Sequence, residues 1–102
     1  MFLVVSFDLP SVGAGTAKRY RELRKSLAAC GFSAVQKSVA WRWCEDREHR
    51  DAVIARILKH RSDSGDLLFF SIPDEAFRNT VRILDGAVKP PPEPPAPWTI
   101  FA

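Results

Sequence analysis

Phe2-Leu3-Val4-Val5-Ser6-Phe7-Asp8-Leu9-Pro10 is the stretch that decides how this chain folds. It is a short, nearly unbroken apolar run rich in β-branched and aromatic residues. Such a run suits a strand buried on both faces at the centre of a sheet. Pro10 has no N–H to give to a ladder, so the strand stops there. Its last polar group, Asp8, is thereby delivered to the sheet's end. The opening Met-Phe-Leu-Val-Val lacks a basic flank and soon reaches Asp8, so it reads as a core strand and not as a leader.

Downstream, two glycines in Ser-Val-Gly-Ala-Gly-Thr mark a loop over 11–16, and Thr16 is placed to cap a helix. Tyr20, Leu23, Leu27 and Cys30 recur at steps of three and four, predicting a helix over 17–30. Lys18, Arg21 and Lys25 line another side of it, with Arg19 and Arg24 beside them. Gly31 falls where a left-handed C-terminal cap belongs. Residues 32–44 alternate as strand, with Val35, Val39, Trp41 and Trp43 on one parity and a turn near Gln36-Lys37-Ser38. Asp46 can cap a second helix, whose apolar stripe is Val53, Ile54, Ile57 and Leu58. Asp66 to Ile72 reads as another buried strand, Asp74 to Asn79 as one helical turn, and Val81 to Leu84 as a short edge strand.

The order strand, helix, strand, strand, helix, strand predicts a ferredoxin-like α+β sandwich, βαββαβ, with an extra C-terminal edge strand. The expected division is a ferredoxin-like domain over 1–86, a proline-rich linker over 87–97 and an apolar docking tail over 98–102. The linker is read as a polyproline spacer. Trp98, Ile100 and Phe101 are expected to dock on the sheet edge or on a second subunit. With both helices on one face of the sheet, the other face stays partly apolar and implies a partner, most simply a homodimer.

Composition narrows the chemistry. At 102 residues there is room for one core. The net charge of +3 hides an asymmetry: residues 1–61 carry twelve Lys/Arg against six Asp/Glu, and residues 62–102 three against six. A basic half suits a polyanion such as nucleic acid. Cys30 and Cys44 have neither Cys-x-x-Cys nor a nearby His, which excludes a zinc site and suits free buried thiols in a reducing cytoplasm. His49 and His60 lie three turns apart, too far to share a metal, and read as surface residues. No apolar run reaches the ~18 residues of a membrane span, and no phosphate-cradling glycine motif, His-Glu-x-x-His or nucleophile elbow is present.

Several local patterns in order carry a resemblance. Phe7-Asp8-Leu9-Pro10 closes the first strand, and Tyr20-Arg21-Glu22-Leu23-Arg24-Lys25-Ser26-Leu27 lies on the first helix. Gly31-Phe32, Gln36-Lys37-Ser38-Val39 and Asp74-Glu75-Ala76-Phe77 follow. Over about residues 2–86 the chain resembles the CRISPR-associated Cas-two family of spacer acquisition, in its Phe-Asp-Leu-Pro variant. The resemblance implies a ferredoxin-like homodimer in which Asp8 of two protomers shares a Mg2+ or Mn2+ ion and is the catalytic carboxylate. It implies work with the Cas-one integrase on DNA, and metal-dependent endonuclease activity on RNA or DNA as an alternative. Lys18, Arg19, Arg21, Arg24 and Lys25 are the expected nucleic-acid contacts. Two positions depart from the family pattern: Ala40 stands where an aromatic commonly follows Ser-Val, and Ala34 where some members carry a basic residue. These departures predict binding with weak or absent cleavage. A ferredoxin-like regulatory or assembly domain is the remaining reading.

Overall fold

The structure, a computed structural model, describes residues 1–9, 15–60 and 65–95, with His60 described in its backbone alone. Its elements are β1 (Phe2–Asp8), α1 (Thr16–Ala29), β2 (Ser33–Gln36), β3 (Val39–Trp43), α2 (Arg47–His60), β4 (Asp66–Ile72), α3 (Asp74–Arg78), β5 (Arg82–Leu84) and β6 (Ala87–Lys89). The main sheet has the order β2-β3-β1-β4, and every neighbouring pair is antiparallel. This α+β arrangement is compatible with a ferredoxin-like fold. As its composition demands, β1 lies inside the sheet.

Alternation along β1 sends Leu3, Val5 and Phe7 to one face, where they join Leu23 and Leu27 of α1 and Val53 and Ile57 of α2 in a single buried cluster. Ala40 of β3 belongs to the same face. The other parity, Phe2, Val4 and Ser6, pairs with Trp43, Trp41 and Val39 of β3 and with Ile72, Phe70 and Leu68 of β4. There α3 covers one end: the Phe77 ring stacks on Phe2 at 3.9 Å between centroids and meets Trp41 edge-on at 5.0 Å. The Trp43 indole N–H donates to Asp74 at 3.2 Å, which ties down the start of α3.

The caps explain where the helices begin and stop. Asp46 accepts the His49 N–H at 2.7 Å and so caps α2 as expected. Thr16 does not cap α1: it is already the first helical residue, and the N-cap is Gly15, which has no side chain to give. Gly31 follows α1 with φ 86°, and a Cβ there would come within 2.8 Å of the Arg42 guanidinium. That guanidinium lies under the sheet and donates to the carbonyls of Cys30 at 2.7 Å and Trp43 at 3.0 Å.

Four expectations need correction. The strand β4 is an edge strand, with Leu68 54% and Phe70 49% exposed. Leu58 has turned out of the α2 stripe into solvent. Val81 is outside any strand, and β5 does not extend the main sheet. Instead it pairs with β6 in a separate hairpin whose turn, Asp85-Gly86, has both φ values positive at 51° and 78°. An Asp-Gly pair is the sequence signature of that turn, so the hairpin runs to Lys89, past the expected boundary at 86. Its Arg82 donates to the Val35 carbonyl of β2 at 3.0 Å. Beyond it, Pro91 and Pro94 are half-buried, beside a cleft of about 200 Å³ that Phe2, Asp74 and Arg78 also line. Trp98, Ile100 and Phe101 lie outside the described residues.

Candidate nucleic-acid and metal site

The central strand ends at Asp8, whose carboxylate is exposed. The Tyr20 hydroxyl connects it to α1, accepting the Leu9 N–H at 3.0 Å and donating to Asp8 Oδ1 at 3.4 Å. Tyr20 entered the helical pattern as an apolar residue; its ring does pack near Phe7, at 6.1 Å between centroids, but its hydroxyl serves the strand end. Across the β1–β4 ladder the residue directly opposite Asp8 is Asp66. No group of three metal-ligating side chains occurs among the described residues of one chain. The oxygen donors that are present, an exposed carboxylate with a second across the ladder, suit a hard and largely hydrated dication.

The basic side chains of α1 do not form one surface. Arg21 and Arg24 line an open groove of about 610 Å³ whose opposite wall is the β2–β3 turn, with Lys37 and Ser38. Lys25 lines a different groove, about 420 Å³, with Arg56 of α2 and the sulfur-bearing Cys30. Lys18 is exposed, while Arg19 is half-buried with a guanidinium nitrogen 3.5 Å from Thr16 Oγ1. Lys37 had appeared in the sequence only as a break in an apolar series; a cation in a hairpin turn carries no periodic signal of its own.

The sequence model of the family described as CRISPR associated protein Cas2 matches residues 1–80. The chain belongs to the Cas2 family. Similar relatives include the CRISPR-associated endoribonuclease Cas2 of Parvibaculum lavamentivorans, 29% identical over 91 residues that cover 89% of each chain. The protein of the same name from Flavobacterium psychrophilum is 32% identical over 77 residues, 76% of this chain and 67% of the relative. That of Paracidovorax avenae is 24% identical over 101 residues, 99% and 94%.

The Cas2 match takes in Asp8, both grooves and α3, and ends before the β5–β6 hairpin. The two departures from the Cas2 pattern, Ala34 and Ala40, are partners across the β2–β3 ladder. Ala40 is buried on the helix side, opposite Val5. A larger side chain there would press toward the α1 and α2 core, because Asp8 belongs to the other parity of β1. Position 40 is therefore a packing position in this chain.

The two histidines and two thiols stand apart from this site. His49 is no bare surface residue: its Nδ1 accepts the Glu45 N–H at 3.1 Å, and its Nε2 lies 3.4 Å from Arg42. The His60 side chain lies outside the described residues. Cys30 and Cys44 are free and buried. Burial pushes the Cys44 thiol above its ordinary value, against the opposing pull of Arg42. Among the described residues no helix is long and apolar enough to cross a membrane.

Proposed function

We propose that this chain is a CRISPR adaptation subunit that binds nucleic acid and works with the Cas-one integrase to insert new spacers. The observation that carries the reading is a Cas2-family chain whose central strand ends in an exposed carboxylate beside a cationic groove. Lysine and arginine neutralise backbone phosphates without reading bases, as a subunit that must accept any spacer sequence requires.

A homodimer belongs to the same reading. The outer face of the sheet leaves Leu68 and Phe70 half-exposed, and the hairpin region exposes Val81, Ile83 and Val88 by about two thirds or more, at 72%, 67% and 71%. A second copy laid on that face would bury them. Asp8, at the end of the outer parity, would then meet its mate, and two such carboxylates would hold Mg2+ or Mn2+ where one alone is a thin donor set. When bound there, the ion would supply phosphate polarisation and a more acidic water.

A metal-dependent endoribonuclease is the second reading, favoured by the printed names of the relatives and by the all-oxygen character of Asp8 and Asp66. Size-exclusion chromatography with the Cas-one integrase and a duplex of spacer length tests the first reading. Co-elution of all three is the expected result, lost as salt rises. An integrase that passes the column without this chain, with or without duplex, would overturn it and leave the nuclease reading.

A further inference from the structure

We infer that the groove between α1 and the β2–β3 turn binds the backbone of a single-stranded nucleic acid, with Lys37 as one of its phosphate contacts. This rests on the nucleic-acid reading above and adds the place, the residues and the form of the strand.

Both walls of the groove carry cations, Arg21 and Arg24 on the helix and Lys37 on the turn. The walls are fixed to one another, since Arg24 Nη1 donates to the Lys37 carbonyl at 3.0 Å. One Arg24 N–H is used in this way, and the other four stay available to an oxygen anion. The Arg24 guanidinium carbon and the Lys37 ammonium each lie 6.0 Å from the centre of the Tyr20 ring, so both charges are held at an aromatic floor. Among the described residues no carboxylate lines the groove, and Arg21, Arg24 and Lys37 have no ion-pair partner. Three like charges gathered around one cleft repel each other until an anion enters.

The shape selects the kind of anion. A duplex presents its phosphates to a broad surface and would touch one wall's cations. A cleft with cations on two sides and an aromatic between them is the form in which proteins hold a single strand. The Tyr20 hydroxyl then ties the floor of this cleft to Asp8 at 3.4 Å, so a strand lying in it is led toward the carboxylate. The other groove, with Lys25 and Arg56, is lined by no aromatic ring and serves as the internal control.

The test uses the full chain and three fluorescein-labelled probes of equal length: oligothymidylate, oligouridylate and a duplex. Anisotropy titrations across a salt series give affinity and salt slope. Lys37→Ala should weaken both single strands alike and reduce the steepness of their salt slope by about 0.7, the loss of one single-strand phosphate contact. Lys37→Glu should weaken them further, and Arg56→Ala should leave the slope unchanged. Lys37 is an exposed turn residue whose interaction with Arg24 runs through its backbone, so both variants keep that bond. An unchanged single-strand slope in both Lys37 variants would overturn the inference while wild-type binding leaves the nucleic-acid reading standing. A loss confined to the duplex would overturn the single-strand assignment. A wild-type chain that binds none of the probes would sink inference and reading together.

Discussion

On the helix side of the main sheet, Leu3, Val5, Phe7 and Ala40 are closed over by α1 and α2, and nothing further is needed to exclude water. On the outer side, only the Phe2 end is covered, by the five-residue α3, while Leu68 and Phe70 stay half-exposed. The same strands furnish both faces, so the difference lies in what the connections supply. Two fourteen-residue helices fall on one side, and a single short turn falls on the other. One face is a finished core, and the other is a surface whose completion depends on an occupant.

Deletions in the two faces give the largest expected effects. Leu27→Ala removes a fully buried side chain from the helix side and should cost about 2–5 kcal/mol in urea unfolding. Phe77→Ala removes the one large side chain that seals the outer face and should cost about 3–5 kcal/mol. A Phe77→Ala cost below about 1 kcal/mol would break the comparison, because α3 would then be a loosely held flap. Next in size is Leu68→Asp with Phe70→Asp. These half-exposed residues contribute little to a single chain, so its melting temperature should move only slightly. Light scattering should nevertheless show the change from a dimer to a single 11.5 kDa chain. A wild-type protein that is already monomeric at micromolar concentration would remove the partner-copy account of the outer face.

Much of this was legible in the sequence because it rests on local periodicity. The β1 run, the α1 face of Leu23 and Leu27, the Asp46 cap and the Gly31 stop each follow from a pattern a few residues long. What was not legible depends on which element becomes an edge. Leu67-Leu68-Phe69-Phe70 has the composition of a buried strand, and only the strand order shows that its outer parity is open. The basic side chains of α1 suffered similarly: helical spacing grouped Lys18, Arg21 and Lys25, but packing against the β2–β3 turn and α2 sends Arg21 and Lys25 to separate grooves. Lys37 and Tyr20 became visible at the site only through contacts 12 and 13 residues apart in the chain. The Asp85-Gly86 turn, by contrast, was present in the sequence as a hairpin signal and was simply not read.

The smallest effect on stability should accompany the largest effect on chemistry. Asp8 and Asp66 face each other across the β1–β4 ladder, and like charges directly opposite in an antiparallel pair are destabilising. Asp8→Asn removes that repulsion and keeps an oxygen to accept from Tyr20. As an exposed substitution it should shift stability by no more than about 0.5 kcal/mol, and upward. Nucleic-acid binding should survive or tighten, since a negative charge beside the phosphates has gone. Any cleavage by the wild type should be weak, abolished by EDTA and absent in Asp8→Asn. A selected carboxylate that weakens its own ladder is explained by a ligand, whereas a mere turn cap would lose stability when replaced. A clear fall in melting temperature for Asp8→Asn, with any cleavage intact, would therefore return Asp8 to a structural role and leave the groove beside it to act by binding alone.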